Sequence, residues 1–282
     1  MSLQIPEPVS TVDLFAPLSG ELVALLRGLS PEDWERPTVA GSWRVRDVAA
    51  HLLDTDLRRL SMHRDGHVAP PPDPPIQGYS DLVRYINRLN AGWVEMASQR
   101  MSPRVITGLL AWTGPQVAEF FASLPPHGRA VIPVAWAGEN ESENWMDVGR
   151  EYTEKWHHQE QIRDAVGAPG LTSRRWLFPV LDLSVRALPH AFRDTEAPEG
   201  SAFAMTITGD AGGVWSLVRG DGRWSLWVGE EAEPAARVRV DAETAWKIFY
   251  NALPPEAAAA RVEIEGDPRL GAAFLKTRSV MV

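Results

Sequence analysis

The sequence predicts two domains, an all-α bundle over residues 1–168 followed by a smaller α+β domain over residues 169–282. Three observations carry that prediction. The 282 residues exceed the roughly 100–200 that one domain usually holds. Apolar residues recur at helical spacing as far as residue 166, then alternate with the period of two that marks a strand from residue 203. Between these regimes lies Gly167-Ala168-Pro169-Gly170, where a C-cap glycine followed by proline ends a helix.

The first helix is expected from Val12 to Leu29, because Leu14, Leu18, Leu22, Leu25 and Leu26 form one apolar stripe. Ser30-Pro31-Glu32-Asp33-Trp34 then reads as a short helical turn, with Ser30 as N-cap and proline at the first helical position. A second long helix is expected from Val45 to Asp65, capped by Ser42 and burying Val45, Val48, Ala49, Leu52 and Leu53. The run from Ala69 to Pro75 holds five prolines and cannot continue it, since proline lacks the donor and its ring collides with the preceding turn. Leu82, Ile86, Leu89, Trp93 and Met96 place a third helix over 80–100, and 103–124 is a fourth. Residues 129–137 are read as a short extended stretch, and a further strong helix runs from Asn144 to Val166.

A connecting helix is expected over 175–192, and strands follow. Phe203, Met205 and Ile207 alternate, and two strand-like runs flank Gly220-Asp221-Gly222, a hairpin signal. Val238 and Val240 mark another strand, 241–253 a helix, Val262 and Ile264 a last strand, and 267–275 a last helix. No solenoid-type repeat is visible.

Composition excludes several functions. Hydrophobic residues at 44% and charged residues at 23% describe an ordinary globular chain. A formal charge of −9 argues against a grip on phosphate backbones, so nucleic acid is not an expected partner. With no cysteine, thiolate metal sites, disulfides and cysteine nucleophiles are impossible, and any thiol chemistry needs an external thiol. The first residues form no signal peptide and no stretch is apolar enough to span a membrane, so a cytoplasmic location is expected.

The sharpest local pattern is Glu154-Lys155-Trp156-His157-His158. Residues four apart share a helix face, so Glu154 and His158 can grip one ion together; a solvated pair is the ordinary alternative. His51 lies on the apolar side of the second long helix, where it is either a third ligand or a hydrogen-bonded core residue. His157 is turned about 100° from His158 and is read as a pocket or surface residue. His63, His67, His127 and His190 have no supporting pattern. Trp43, Trp156, Trp215, Trp224, Trp227 and Trp246 line a cleft or fill a core.

Gly41-Ser42-Trp43-Arg44-Val45-Arg46-Asp47-Val48-Ala49-Ala50-His51 resembles the signature of the DinB-like metal-binding bundles, which include the mycothiol-dependent maleylpyruvate isomerases. Its second half is matched by Glu154, His158, Gln161 and Ile162, with Gln161 standing where the family commonly has Asp. The resemblance covers residues 10–168, and the alternating C-terminal part resembles the sterol-carrier-like domain that accompanies this bundle. It implies an up-and-down four-helix bundle with one divalent ion held by His51, Glu154 and His158.

Two imidazoles and a carboxylate leave a fourth position open, the pattern of a catalytic zinc; nickel, cobalt and iron accept the same donors. Gln161 and Asp54 are candidates to orient the imidazoles through their other nitrogens, and Arg150 and His157 are candidates for substrate binding, each with a helix-surface role as its alternative. The implied reaction is thiol-dependent isomerisation or S-transfer with a low-molecular-weight thiol such as mycothiol, acting on an electrophile or diacid. Hydrolysis by metal-bound hydroxide and a non-enzymatic apolar-ligand module with a structural metal are the two rivals.

Overall fold

The computed structural model describes residues 3–280. The N-terminal part is mostly helical: α1 (Val12–Gly28), α2 (Pro31–Trp34), α3 (Val45–Arg58), a π-helical turn (Arg59–Arg64), α4 (Tyr79–Arg100), α5 (Pro103–Ser123), a 3-10 turn (Ala135–Ala137) and α6 (Asn144–Val166). Then follow α7 (Arg174–Val185), α8 (Leu188–Ala191), β1 (Ala202–Thr208), β2 (Gly213–Gly220), β3 (Arg223–Val228), β4 (Ala236–Asp241), α9 (Ala242–Phe249), α10 (Pro255–Ala259), β5 (Glu263–Gly266) and α11 (Pro268–Leu275).

Contacts group the chain into two compact units. One comprises the residues up to Ser10, Ile132–Thr153 and the chain from Leu171 onward; the other comprises Thr11–Val131 and Glu154–Gly170. In the second unit, α1 packs on α5, and α3 packs on both α4 and α5, giving a four-helix-bundle-like arrangement. Its core gathers Leu22 and Leu26 of α1, Val48, Leu52 and Leu53 of α3, Ile106 and Leu110 of α5, and Ile162 of α6. These are the stripe positions of the respective helices, as helical periodicity requires. The Trp93 indole of α4 donates to the Ala50 carbonyl of α3 at 2.7 Å, which fixes those two helices next to the position of His51.

The other unit carries a five-stranded sheet of order β3-β2-β1-β4-β5, in which only β1 and β4 run parallel. The β2–β3 hairpin turns on Asp221 and Gly222, with φ of 51° and 74°; two successive positive values define the two-residue turn whose twist suits paired strands. Helices α9 and α11 pack on β4 and α8 on β3, so Phe192, Phe203, Phe249 and Phe274 meet in one aromatic core. Strand β1 is buried through its first four residues, which is why its pattern is apolar rather than strictly alternating. Gly149 of α6 lies so close to α7 that an added Cβ would stand 2.6 Å from Leu183 Cδ2.

Several expectations need correction. The second long helix is α-helical only to Arg58, and a π-helical turn carries it on to Arg64. Its N-cap is Arg44, whose N–H donates to the Asp47 carboxylate at 2.9 Å, while Ser42 sits in the preceding turn. Residues 129–137 form no strand; Val134 N–H is taken by the Ser142 hydroxyl and a 3-10 turn follows. The connecting helix over 175–192 is two helices, broken at Arg186 and Ala187 before Pro189, and α10 was not anticipated. Among the described residues no helix is long and apolar enough to cross a membrane.

Candidate metal centre

His51 is held on the buried face of α3, with Val48 and Leu52 beside it in the core, and is only 3% exposed. Glu154 and His158 come from α6, which is continuous across both because no proline or glycine interrupts it from Arg150 to Val166. Their ligand atoms and that of His51 all lie within 4.8 Å of one another. Glu154 Oε1 stands 3.1 Å from His158 Nε2 and 3.3 Å from His51 Nε2. The two imidazoles meet edge to face, with centroids 4.7 Å apart.

These spacings fit a cation. Tetrahedral donors at about 2.0–2.1 Å from a zinc-sized ion sit about 3.3 Å from one another, close to the 3.1 and 3.3 Å that separate Glu154 Oε1 from the two imidazole nitrogens. The donor chemistry fits as well: His158 Nδ1 donates to Gln161 Oε1 at 2.8 Å, so that with an ion between the two helices a neutral His158 protonated there would turn the lone pair of Nε2 to the ion in place of its bond to Glu154. Two lone-pair donors and a carboxylate then face one another, an arrangement that a positive ion completes. His51 Nδ1 is buried and has no hydrogen-bond partner among the described residues.

Electrostatics follow from burial and from the cluster itself. Burial holds the His51 pKa below its ordinary value, against the opposing bond from Glu154. Burial alone would raise Glu154, but the charge of His158 and bonds from His158 and His51 hold it well below the usual carboxylate range. For His158 burial is again opposed, here by the charge and hydrogen bond of Glu154, and the net shift is upward. Burial and the neighbouring His158 push His157 down to about 3, so it is neutral.

Neutral His157 has a structural use. Its Nε2 accepts from Gln161 Nε2 at 2.9 Å, so one amide spans both histidines: it donates to His157 and accepts from His158. Gln161, the position that departs from the family pattern, is thereby oriented from both ends. Trp43 covers the cluster from the loop before α3, its ring 5.1 Å from that of His51 and 6.5 Å from that of His158.

Other candidates lie elsewhere. Asp54 does not reach His51; its carboxylate pairs with Arg58 at 3.0 Å. The Arg150 guanidinium is taken by Asp147 at 2.7 Å and Glu151 at 2.9 Å. His63 Nδ1 lies 3.0 Å from Arg59, one turn back. Trp156, Trp215 and Trp224 are core residues. Sequence reasoning missed the tie between His157 and Gln161, although their four-residue spacing was available as a signal. It also missed the buried ion pair of Asp56 with Lys155, which no local pattern announces.

The fold and the site together define a protein with a helical bundle, a His-Glu-His cluster able to hold a divalent ion, and a smaller α+β part. The sequence model described as the mycothiol maleylpyruvate isomerase N-terminal domain matches residues 15–163, and the chain belongs to that family. A comparison with curated proteins finds no match. Among solved structures, the chain is similar to the crystal structure of the mycothiol-dependent maleylpyruvate isomerase, with a TM-score of 0.51 and 8% identity over 84% of this chain and 86% of that one. It is likewise similar to a histidine-to-alanine mutant of that enzyme, at a TM-score of 0.50 and 9% identity over the same shares. At such identities the likeness concerns the fold alone.

Proposed function

We propose that the protein is a thiol-dependent isomerase or S-transferase that works with one divalent metal ion, zinc first among the candidates. The convergence of His51 Nε2, Glu154 Oε1 and His158 Nε2 within 4.8 Å carries this reading. A divalent ion held there would supply Lewis acidity, the chemistry that lowers the pKa of a thiol such as mycothiol and makes it nucleophilic. The chain's own residues do the rest. His51, Glu154 and His158 would hold the ion, Gln161 and His157 fix the plane and tautomer of His158, and the Trp43 ring keeps bulk water off one side of the cluster. In the isomerase version the thiolate adds to the cis double bond of a diacid, the new single bond rotates, and elimination returns the thiolate and the trans alkene. In the transferase version the adduct leaves.

We further propose that residues 169–282 follow the bundle of residues 1–168 as a sterol-carrier-like domain, one on whose compact unit Ile132–Thr153 also packs. Two facts support this: the family match ends at residue 163, and among the described residues every strand begins after residue 201.

The test is turnover by metal-loaded protein with a low-molecular-weight thiol and a model electrophile such as a maleate-type diacid. Turnover that needs both metal and thiol is expected. Turnover without thiol would place the protein among metal-dependent hydrolases, and inertness in both assays, with a fold that survives chelation, would make it a binding module with a structural metal.

A further inference from the structure

The face of α3 that carries His51 also carries a cation. Arg58 follows His51 by seven residues, which on an α-helix is about 20° short of two full turns and about 10.5 Å along the axis. The α-helix is continuous from one to the other, and side chains on a helix lean toward its N-terminus, which for Arg58 is the direction of His51. Helix α4 runs beside the same stretch: the Trp93 indole bonds the Ala50 carbonyl at 2.7 Å, and Asn90, about one turn earlier, accepts from Arg58 Nη2 at 3.2 Å. All of these residues lie in the bundle unit. Burial is the main cause of the lowered His51 pKa, and the charge of Arg58 adds to it, so the guanidinium is felt at the imidazole.

The guanidinium is only partly used. Its Nη2 bonds Asn90 and stands 3.0 Å from the Asp54 carboxylate. Among the described residues Nη1 has no acceptor, and Nε is buried without one. A sealed donor without a partner is uncommon, because leaving it unbonded costs free energy. The side chain as a whole is 30% exposed, so a ligand can reach the group. A guanidinium only donates and a carboxylate only accepts, which makes them complementary. Charge selects further: with Asp54 already beside it, Arg58 suits a singly charged carboxylate, whereas a phosphate group, near two negative charges at pH 7, would set a larger charge against Asp54.

We propose that Arg58 holds one carboxylate of the substrate on the α3 face beside the metal cluster and so makes the protein select acids over their neutral amides. The inference rests on the diacid reading given above and adds to it the residue that recognises the acid. Asn90 and Asp54 act as positioning residues: they hold the guanidinium by Nη2 and leave Nη1 for the ligand. Charge-assisted bonds of this kind are among the strong ones, so the selection should be large.

The probe is succinate, an inert saturated diacid, with succinamide as its neutral counterpart, each titrated by calorimetry into the full-length zinc-loaded protein. Succinate is expected to bind at least about tenfold more tightly than succinamide, as one lost charged hydrogen bond would produce. Arg58→Gln should weaken succinate at least about tenfold and leave succinamide and metal content unchanged, and Arg58→Lys, which keeps the charge, should recover part of the loss. Asn90→Asp leaves Arg58 in place but sets a rival carboxylate on Nη2, and should also weaken succinate. Absent binding, equal binding of diacid and diamide, or succinate binding unaffected by Arg58→Gln or by Asn90→Asp would each overturn the proposal; the Arg58→Gln result would put the acid on the ion alone. Turnover separates this inference from the reaction beneath it. Arg58-dependent succinate binding without thiol-dependent turnover of maleate would refute the reaction alone, whereas turnover with an unchanged KM for maleate in Arg58→Gln would refute the role of Arg58 alone.

Discussion

His51 and Glu154 are 103 residues apart in the chain, yet Nε2 of the one lies 3.3 Å from Oε1 of the other. Only packing of α3 against the second half of α6 brings them together, and His158, one turn beyond Glu154, completes the set. If these atoms hold an ion, His51→Ala, Glu154→Ala and His158→Ala should each lose it. Elemental analysis of purified wild type should find about one ion per chain, a full set for three protein donors with one open position. His63→Ala should keep the ion, since His63 faces Arg59 instead. Full metal content in His51→Ala would end the three-ligand model.

Gln161 should matter through His158 rather than by touching the ion. Gln161→Leu removes the acceptor that fixes the His158 tautomer, and metal affinity should fall about 10–100-fold, the usual effect of losing an outer partner of a ligating histidine. His157→Phe removes the opposite anchor of the same amide and should weaken affinity in the same direction while leaving an ion bound at saturation. Competition with a chromophoric chelator measures both, and unchanged affinity in Gln161→Leu would show the amide to be a bystander.

The sequence reveals this site unevenly, for physical reasons. Glu154 and His158 are legible because helical spacing makes them neighbours, and His51 because it interrupts an apolar stripe inside a matching signature. The helices from Val12 to Val166 and the hairpin at Asp221-Gly222 are legible because periodicity and turn chemistry are local. The π-helical turn after Arg58 is not legible, since its extra residue per turn depends on what α3 packs against. Nor is the strand expected near 131, whose apolar residues occupy a loop held by Ser142 and by the 3-10 turn. Asp54 was a reasonable partner for His51 by spacing, but Arg58 lies one turn further along and takes its carboxylate.

In the sheet-bearing unit, Asp241 caps α9 by accepting the Thr244 N–H at 2.9 Å. Burial taken alone would raise its pKa; the bonds from Thr244 outweigh this and hold it below the ordinary value. Because the folded pKa is the lower one, the stabilisation is present above the unfolded value near 3.8 and is lost as pH falls through the folded value. Asp241→Ala should destabilise by about 1 kcal/mol at pH 7. Asp241→Asn should keep most of the cap and lose its pH dependence. Urea unfolding at pH 7 and pH 3 checks this: the gap between wild type and Asp241→Ala should narrow at the lower pH, and a constant gap would refute the assignment.

Lys155 follows Glu154 directly, and its ammonium pairs with the Asp56 carboxylate from α3, a residue 2% exposed. Thr113 of α5 donates to the other oxygen of Asp56 at 2.6 Å, so three helices meet on one buried charge pair. Such a pair is a poor source of net stability, because desolvating both ions offsets their attraction, but it is sensitive to removal of one partner. Asp56→Ala should therefore cost about 3–5 kcal/mol, since it strands the Lys155 ammonium in the bundle. The double variant Asp56→Leu/Lys155→Met removes both charges and should recover most of that loss. What it should not recover is metal affinity: a polar contact one residue from Glu154 penalises any slip of α6 along α3, whereas an apolar contact tolerates one. Thermal midpoints together with chelator competition separate the two effects. A double variant that is stable and binds metal as wild type does would show that the pair has no part in placing Glu154 opposite His51.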